Sequence, residues 1–232
     1  VDASGGSAAA VLEKILPLKR AIIEKAYGMK THFDVKSILD EYVSYGKKLQ
    51  KYIGDVSSLV SRKLGTHSFL FEQAHGTMLD PVFGTYPFTV APPTISSAVF
   101  PSVGIAARTL PVVGVVKAYT TRVGNGPFPT ELSDNTGDTI RKNGNELGTV
   151  SKRPRRCGWL DIPALKYAVM INGVSKAVMT KADVLCGFEK IKVCTHYIYK
   201  GKKIDYMPYQ RNEGITPVFT ELRGWKKFLN GI

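Results

Sequence analysis

Hydrophobic residues in the first quarter of the chain recur at helical spacing. Between residues 8 and 29, apolar side chains return every three to four positions, which predicts a helix. Residues 34–64 show the same period more clearly, and Asp34 can serve as the N-cap of this second helix. The second pattern is long, so Gly46 or Gly54 can divide it into two helices.

The rest of the chain alternates short apolar runs with loops. The runs Ser68–Phe71, Pro111–Tyr119 and Ala177–Met179 predict strands, the first two of them buried or covered. Asp161–Gly173 predicts a helix, with its first residue as the N-cap and its last as the stop. Residues 192–209 read as a hairpin. Such alternation predicts an α/β or α+β architecture.

No internal repeat and no convincing linker divides the chain. We therefore expect residues 1–232 to form a single domain, mainly helical over 1–65, with a sheet and its binding loops over 66–232. The stretch 72–107 is rich in Gly, Pro, Ser and Thr, and irregular stretches of that length are usually functional. Residues 120–160 are rich in loops and basic side chains.

Composition narrows the classes of partner. Lys and Arg number 32 against 19 Asp and Glu, a formal net charge of +13, which favours nucleic acid, an acidic membrane or ligands with phosphates and carboxylates. The three cysteines lack metal-site spacing and are odd in number, which argues for a reducing compartment. The most apolar window, 95–116, contains Pro101, Arg108 and Pro111, which disfavours a membrane span.

Thr180–Asp183 is the most informative short motif. It follows the predicted strand Ala177–Met179, and ligands of open α/β sheets bind beyond the carboxyl ends of strands. A carboxylate at Asp183 can accept two parallel hydrogen bonds from guanine, while the stem of Lys181 can lie along the base. The alternative is a surface turn that happens to contain both residues.

Two further segments carry candidate chemistry. Lys152–Arg156 offers arginine forks that suit carboxylates and phosphates, although a solvated basic loop or a nucleic-acid patch has the same composition. Thr121–Thr130 contains two glycines that let the backbone approach a ligand, or it is an ordinary tight loop. Neither the phosphate-loop pattern G-x-x-x-x-G-K-[ST] nor G-x-G-x-x-G occurs.

Four longer stretches together resemble the adenylosuccinate synthetase family, in matching order and spacing. They are FEQAHGTMLDPVFGTYPF (71–88), VKAYTTRVGNGPFPTEL (116–132), GNELGTVSKRPRRCGWLD (144–161) and TKADVLCG (180–187). The resemblance covers about residues 10–225. It implies an α/β fold: a P-loop-NTPase-like mixed sheet flanked by helices, with long functional loops, here incomplete.

The resemblance also implies a function. Members of the family are GTP-dependent C–N ligases of AMP biosynthesis that join L-aspartate to IMP, with Mg²⁺ bridging the phosphates of GTP. It implies a cytoplasmic homodimer when full length, and neither a nucleic acid nor a membrane as partner. All three substrates are anions, which gives the net charge a simple explanation.

Site residues follow from the resemblance position by position. The GTP-binding residues are Arg155, Lys181, Ala182 and Asp183. The aspartate-binding residues are Thr149, Val150, Ser151, Lys152 and Arg153. The IMP-binding residues are His75, Leu79, Val90, Val123, Gly124 and Arg153. No metal ligand is assigned within this chain.

The chain departs from the family at several of these positions. His75 stands where the family has a Gln, and Val90 where it has a Thr. The family's phosphate loop G-D-E-G-K-G-K does not occur, so no catalytic Asp or His can be assigned. We expect a fragment of such a ligase with little or no turnover; the alternative is a non-catalytic or altered-specificity purine-nucleotide-binding remnant.

Overall fold

The structure is a computed structural model that describes residues 6–148, 152–208 and 214–226. The chain divides into two compact units, Val1–Arg62 and Lys63–Ile232. This division falls close to the predicted change from helical to sheet-bearing sequence at residue 65. The single domain predicted for residues 1–232 stays a prediction.

The first unit is helical. Its helices are α1 (Gly6–Ala26), α2 (Val35–Leu49) and most of α3 (Val56–Lys63). The carboxylate of Asp34 accepts hydrogen bonds from the backbone N–H groups of Lys36 and Ser37, so it is the predicted N-cap. The long helical pattern is broken at the second of the two predicted places, because Gly54 lies between α2 and α3.

The second unit is a mixed α/β structure, as expected. Its helices are α4 (Val99–Val103), α5 (Asn135–Asn143) and α6 (Ile162–Asn172). Its strands are β1 (Val112–Lys117), β2 (Thr120–Arg122), β3 (Arg156–Gly158), β4 (Leu160–Asp161), β5 (Val174–Thr180), β6 (Lys190–Tyr199), β7 (Lys202–Ile204) and β8 (Ile215–Arg223). β1 pairs with β5 in parallel and β2 with β3 in antiparallel, while β6 pairs with β4 in parallel and with β7 and β8 in antiparallel.

Two sequence predictions of buried strands were wrong in part or whole. Ser68–Phe71 is not a strand, and Leu70 is 95% exposed. Such a short run forms a stable strand only where a neighbouring strand bonds its backbone, and the described strands do not supply one here. β1 exists as predicted, but Val115 is 74% exposed, so one face of this strand is uncovered among the described residues.

Other boundaries differ for reasons of patterning. α5 lies inside the stretch expected to be loops, because Ile140 is the one large apolar residue among its nine, too few to show a helical period. The predicted hairpin forms, but its second arm, β7, ends at Ile204. β8 pairs along almost the whole of β6 and had no sequence prediction.

One hydrophobic core holds the segments around the ends of β1 and β5. Its buried residues are Ala118, Tyr119, Ile140, Cys157, Trp159, Val184, Leu185 and Ile191. They come from the segment after β1, from α5, from β3, from the turn after β5 and from β6. Burial of these side chains therefore fixes the relative positions of loops that are far apart in sequence.

Helix α6 begins at a buried polar contact. Oδ1 of Asp161 accepts hydrogen bonds from the backbone N–H of Ala164 at 3.1 Å and from the hydroxyl of Tyr197 at 2.5 Å. Burial raises the pKa of Asp161, although these hydrogen bonds act in the opposite direction. The helix ends at Gly173, whose φ of 60° is left-handed. Both ends of the helix are as the sequence predicts.

We predict that Asp161→Ala lowers the free energy of unfolding by about 2–4 kcal/mol, because it removes the N-cap and leaves the buried Tyr197 hydroxyl with only the weak acceptor Sδ of Met207, at 3.6 Å. Asp161→Asn keeps an acceptor oxygen and should stay within about 1 kcal/mol of the wild type near pH 7. Urea unfolding monitored by circular dichroism measures both.

The pH dependence of the Asn variant provides an internal check. Because the folded-state pKa of Asp161 is raised, the stability that its proton provides is fully present below the unfolded-state pKa and is lost as the pH rises through the folded-state pKa. The free energy of unfolding of the wild type should therefore increase relative to that of Asp161→Asn as the pH falls from about 7 to about 4. Equal losses for Ala and Asn, or the opposite trend with pH, would contradict the role given to Asp161.

Candidate functional site

The parallel strands β1 and β5 end side by side. Lys117, the last residue of β1, pairs with Thr180, the last residue of β5, and the N–H of Ala118 donates to the carbonyl of Thr180 at 2.9 Å. The chain then turns at Lys181, whose φ is +57°, into a short 3₁₀ helix, Ala182–Leu185. Thr180–Asp183 therefore lies at the carboxyl edge of a parallel strand pair, as the sequence predicts.

A buried carboxylate, Glu146, lies at the centre of this edge and is only 1% exposed. Its Oε1 accepts hydrogen bonds from Nζ of Lys117 at 2.6 Å and from the hydroxyl of Tyr119 at 2.5 Å. Its Oε2 accepts from Nη1 of Arg155 at 2.9 Å, and Nζ of Lys181 lies 3.7 Å from Oε1. We call these five residues the Glu146 cluster.

The Glu146 cluster carries more positive than negative charge. Burial alone would raise the pKa of Glu146, but the hydrogen bonds from Lys117, Tyr119 and Arg155 outweigh burial and lower it. Glu146 is therefore a carboxylate at neutral pH. Three cationic groups around one carboxylate leave a formal excess of two positive charges, which suits a phosphate or another anion.

The head group of Lys181 is held while its stem remains accessible. Nζ of Lys181 donates to the carbonyl of Gly144 at 2.5 Å, and the side chain is 40% exposed. Two residues later, Asp183 is exposed at the start of the 3₁₀ helix, and Ala182 packs against the core. A fixed stem beside an exposed carboxylate is the arrangement that the sequence hypothesis requires.

Arg155 is positioned by backbone as well as by side chain. Its N–H donates to the carbonyl of Glu146 at 2.9 Å, and an isolated antiparallel bridge joins Leu147 to Pro154. Nε of Arg155 is buried and has no hydrogen-bond partner among the described residues. An unpaired buried donor is costly, so the position of Arg155 is maintained by its other contacts.

The aspartate-binding residues of the sequence hypothesis lie on the turn between these two segments. The N–H of Gly148 donates to the carbonyl of Arg153, and the N–H of Lys152 donates to the carbonyl of Gly148, each at 2.9 Å. Lys152 and Arg153 are exposed. The predicted positions Thr149, Val150 and Ser151 lie outside the described residues. Arg155 is thus joined to Lys181 through the carboxylate of Glu146.

A second arginine fixes the glycine loop after β2. Arg156 forms a two-point ion pair with Glu131, with Nε 2.7 Å from Oε1 and Nη2 close to Oε2. Its Nη1 donates to the carbonyls of Gly124 at 3.2 Å and Gly126 at 2.9 Å. Gly124 has a φ of +77°, and its neighbour Val123 is about half exposed. These two predicted IMP-binding residues are therefore held beside β3, one residue from Arg155.

Arg122 connects that loop to the segment that contains the other predicted IMP-binding residues. It is 8% exposed, and its guanidinium donates to the carbonyl of Asn125 at 2.9 Å, to Oγ1 of Thr85 at 2.9 Å and to the carbonyl of Phe88 at 3.0 Å. One buried side chain thus joins the glycine loop to residues 85–88.

Leu79 and Val90 are adjacent in space, because the N–H of Val90 donates to the carbonyl of Leu79 at 2.9 Å. The buried carboxylate of Asp80 shapes this segment by accepting hydrogen bonds from the backbone of Val82, Phe83 and Thr94. His75 lies four residues before Leu79; it has a φ of +68° and is exposed.

A family model described as adenylosuccinate synthetase matches residues 5–232. The chain belongs to the adenylosuccinate synthetase family. Among curated relatives, the adenylosuccinate synthetase of Clostridium kluyveri is 46% identical over 220 residues, covering 93% of this chain and 51% of that protein. The Lactobacillus helveticus enzyme is 45% identical over 216 residues, covering 91% of this chain and 50% of that protein.

A solved structure supports the same family and the fold. The fully ligated adenylosuccinate synthetase from Plasmodium falciparum superposes with a TM-score of 0.86 at 37% identity, covering 95% of this chain and 53% of that chain. The present chain thus spans about half the length of the family members that it matches.

Sequence reasoning missed Glu146, Lys117 and Asn172. Asn172 joins the end of α6 to the IMP-side segment, since its Oδ1 accepts from the N–H of Ser96 at 2.7 Å and its Nδ2 donates to Oγ1 of Thr77 at 2.9 Å. A signal for Glu146 was present: it is the only acidic residue between Asp138 and Asp161 in a strongly basic stretch. No sequence signal distinguishes Asn172.

Neither a metal site nor a membrane-spanning helix is present among the described residues. Within 6–148, 152–208 and 214–226, no group of three or more His, Cys, Asp or Glu side chains could hold a metal ion. The buried carboxylate of the cluster is already occupied by cations. The same part of the chain has no helix that is long and apolar enough to cross a membrane.

We predict that Arg122→Met lowers the free energy of unfolding by about 2–4 kcal/mol, because it leaves two partly buried carbonyl oxygens and the buried Oγ1 of Thr85 without their donor. Chemical denaturation measures the loss. Lys190→Met is a matched control: it removes an exposed ion pair to Glu221 and should change stability by less than about 1 kcal/mol. Similar effects for both variants would contradict a connecting role for Arg122.

Proposed function

We propose that this chain supplies the guanine-nucleotide site, and parts of the IMP and aspartate sites, of a GTP-dependent ligase that joins L-aspartate to IMP. One observation carries the proposal: Lys181 and Arg155 converge on the buried Glu146 at the carboxyl edge of β1 and β5, beside an exposed Asp183. Membership of the family supports the proposal, since its curated relatives are named adenylosuccinate synthetases.

Guanine recognition follows from the chemistry of this edge. An ionised carboxylate at Asp183 accepts hydrogen bonds from N1–H and the exocyclic amine of guanine, a donor pair that adenine lacks. The stem of Lys181, with its head group tied to Gly144 and Glu146, provides an apolar surface for the base. The excess positive charge of the Glu146 cluster, with Arg155 at its edge, attracts the phosphates.

The IMP and aspartate sides of the proposal rest on the neighbouring loops. Val123 and Gly124, with Leu79 and Val90, would line the IMP site. Arg153 and Lys152, on the exposed turn, would bind the carboxylates of aspartate through charge-assisted hydrogen bonds. In the proposed reaction, oxygen 6 of IMP receives a phosphoryl group from GTP, and the amine of aspartate then displaces phosphate. The products are adenylosuccinate, GDP and phosphate.

Turnover requires an acid–base pair, a phosphate-binding loop and Mg²⁺. The described residues do not fit a Mg²⁺ site, and we expect any Mg²⁺ to arrive with the phosphates of GTP. The proposal keeps the catalytic residues unassigned, and it places the whole ligase in the cytoplasm as a homodimer.

A second candidate function is purine-nucleotide binding without catalysis or with altered purine specificity. The observation that favours it is His75, which occupies a left-handed backbone position in place of the family's Gln at the IMP side. Titration calorimetry of the chain with GDP, IMP and L-aspartate separates the two: binding of all three supports the ligase, and binding of GDP without IMP or L-aspartate supports the second function.

We predict that Asp183→Asn weakens GDP binding by at least about tenfold and changes ADP binding much less, because the amide presents one donor to the guanine edge in place of an acceptor. Titration calorimetry on the purified chain gives both values of Kd. Asp205→Asn, at another exposed position, is the matched control and should change neither. Equal weakening toward GDP and ADP would refute guanine recognition by Asp183.

We also predict that Arg153→Ala abolishes detectable L-aspartate binding and leaves the Kd for GDP within about twofold, because it removes a carboxylate-binding guanidinium but no member of the Glu146 cluster. The measurement is calorimetric titration of the chain with each ligand. Arg108→Ala, outside the two loops, is the control. Wild-type aspartate affinity in Arg153→Ala would exclude that role.

A further inference from the structure

We propose that Glu146 is a positioning residue for purine-nucleotide binding, which holds Lys181 and Arg155 in the orientation that the ligand needs. This inference rests on the proposed function for the ligand, but the positioning itself can be measured without one. Neither the sequence motifs nor the family resemblance assigns Glu146 a role.

Glu146 joins side chains from segments that are far apart in the sequence. Nη1 of Arg155 bonds to one carboxylate oxygen at 2.9 Å, while Nζ of Lys117 at 2.6 Å and Nζ of Lys181 at 3.7 Å share the other. Arg155 precedes β3, and Lys181 follows β5. A single side chain therefore sets the distance between the two cationic side chains of the proposed GTP site.

Glu146 also separates three cationic side chains that would otherwise repel each other. Lys117, Arg155 and Lys181 surround a carboxylate that is almost fully buried, and the coulombic effects of Arg155 and Lys181 on Lys117 are unfavourable to its charge. Without Glu146, the long flexible side chains would separate to reduce repulsion. Lys181 would then keep only its hydrogen bond to the carbonyl of Gly144, and its stem would lose part of the fixed direction that a base-stacking surface requires.

Glu146 is not needed to contact the ligand directly. Its two oxygens already accept three hydrogen bonds and form an ion pair with Lys181, and a carboxylate beside a phosphate would be repulsive. Its contribution to binding therefore passes through Lys181 and Arg155. A group that only stabilised the core would show no such selective effect on these two side chains.

The experiment compares Glu146→Gln with Glu221→Gln in the full chain. Glu221 forms exposed ion pairs with Lys190 and Lys192 on the distant β6–β8 pair, so it controls for loss of one carboxylate. Competitive acylation with acetic anhydride, read by mass spectrometry, gives the reactivity of Lys181 relative to the exposed Lys166. We expect this ratio to rise about fivefold in Glu146→Gln and to stay unchanged in Glu221→Gln.

Binding of GDP to the same proteins gives the second readout. We expect Glu146→Gln to raise the Kd for GDP by about tenfold and to reduce the preference for GDP over ADP. The double variant Glu146→Gln with Lys117→Met restores the formal excess of two positive charges. It should recover much of the melting temperature lost in the single variant, but neither the GDP affinity nor the low reactivity of Lys181. It also serves if the single variant fails to fold.

The outcomes separate the two proposals. Recovery of GDP affinity together with the melting temperature in the double variant would reduce Glu146 to a structural charge and overturn the inference. An unchanged Lys181 reactivity in Glu146→Gln would do the same. If the wild-type chain binds no GDP, the proposed function is contradicted, while the acylation ratio still decides whether Glu146 positions Lys181.

Discussion

A carboxylate that is almost completely removed from water keeps its charge only if donors surround it. Glu146 meets this condition with hydrogen bonds from Lys117, Tyr119 and Arg155 and an ion pair with Lys181, which together offset the cost of burying it. Each donor comes from a different place along the fold: the end of β1, the residue pair after it, the segment before β3 and the turn after β5. The geometry of the nucleotide-facing edge depends on this shared acceptor.

Two arginines, one buried and one partly buried, hold the loops through hydrogen bonds in a similar way. Arg122 and Arg156 each donate to several backbone carbonyls, which fixes loops that have no regular hydrogen-bond ladder of their own. Asn172 connects the end of α6 to the loop before α4. Buried and partly buried polar side chains therefore hold the proposed ligand-binding surfaces, and the hydrophobic core holds the strands on which those surfaces are built.

The sequence predicted the features that leave a local signature. The N-cap at Asp34, both ends of α6 and the position of Thr180–Asp183 after a strand depend on residues within one or two turns, and the structure contains all of them. Ser68–Phe71 was misassigned because a strand needs a partner that a short apolar run does not reveal. Glu146 was missed because it contacts Lys117, 29 positions before it, and Lys181, 35 positions after it, and no spacing rule encodes such contacts.

The most direct test of the account is a crystal structure of the chain with GDP. We expect the carboxylate of Asp183 within about 3.2 Å of N1 and the exocyclic amine of guanine, and Lys181 still bound to Gly144 beside the base. We also expect Arg155 on the phosphate side, with Glu146 unmoved. A nucleotide bound elsewhere, or a base turned away from Asp183 with Lys181 detached from Glu146, would contradict the account.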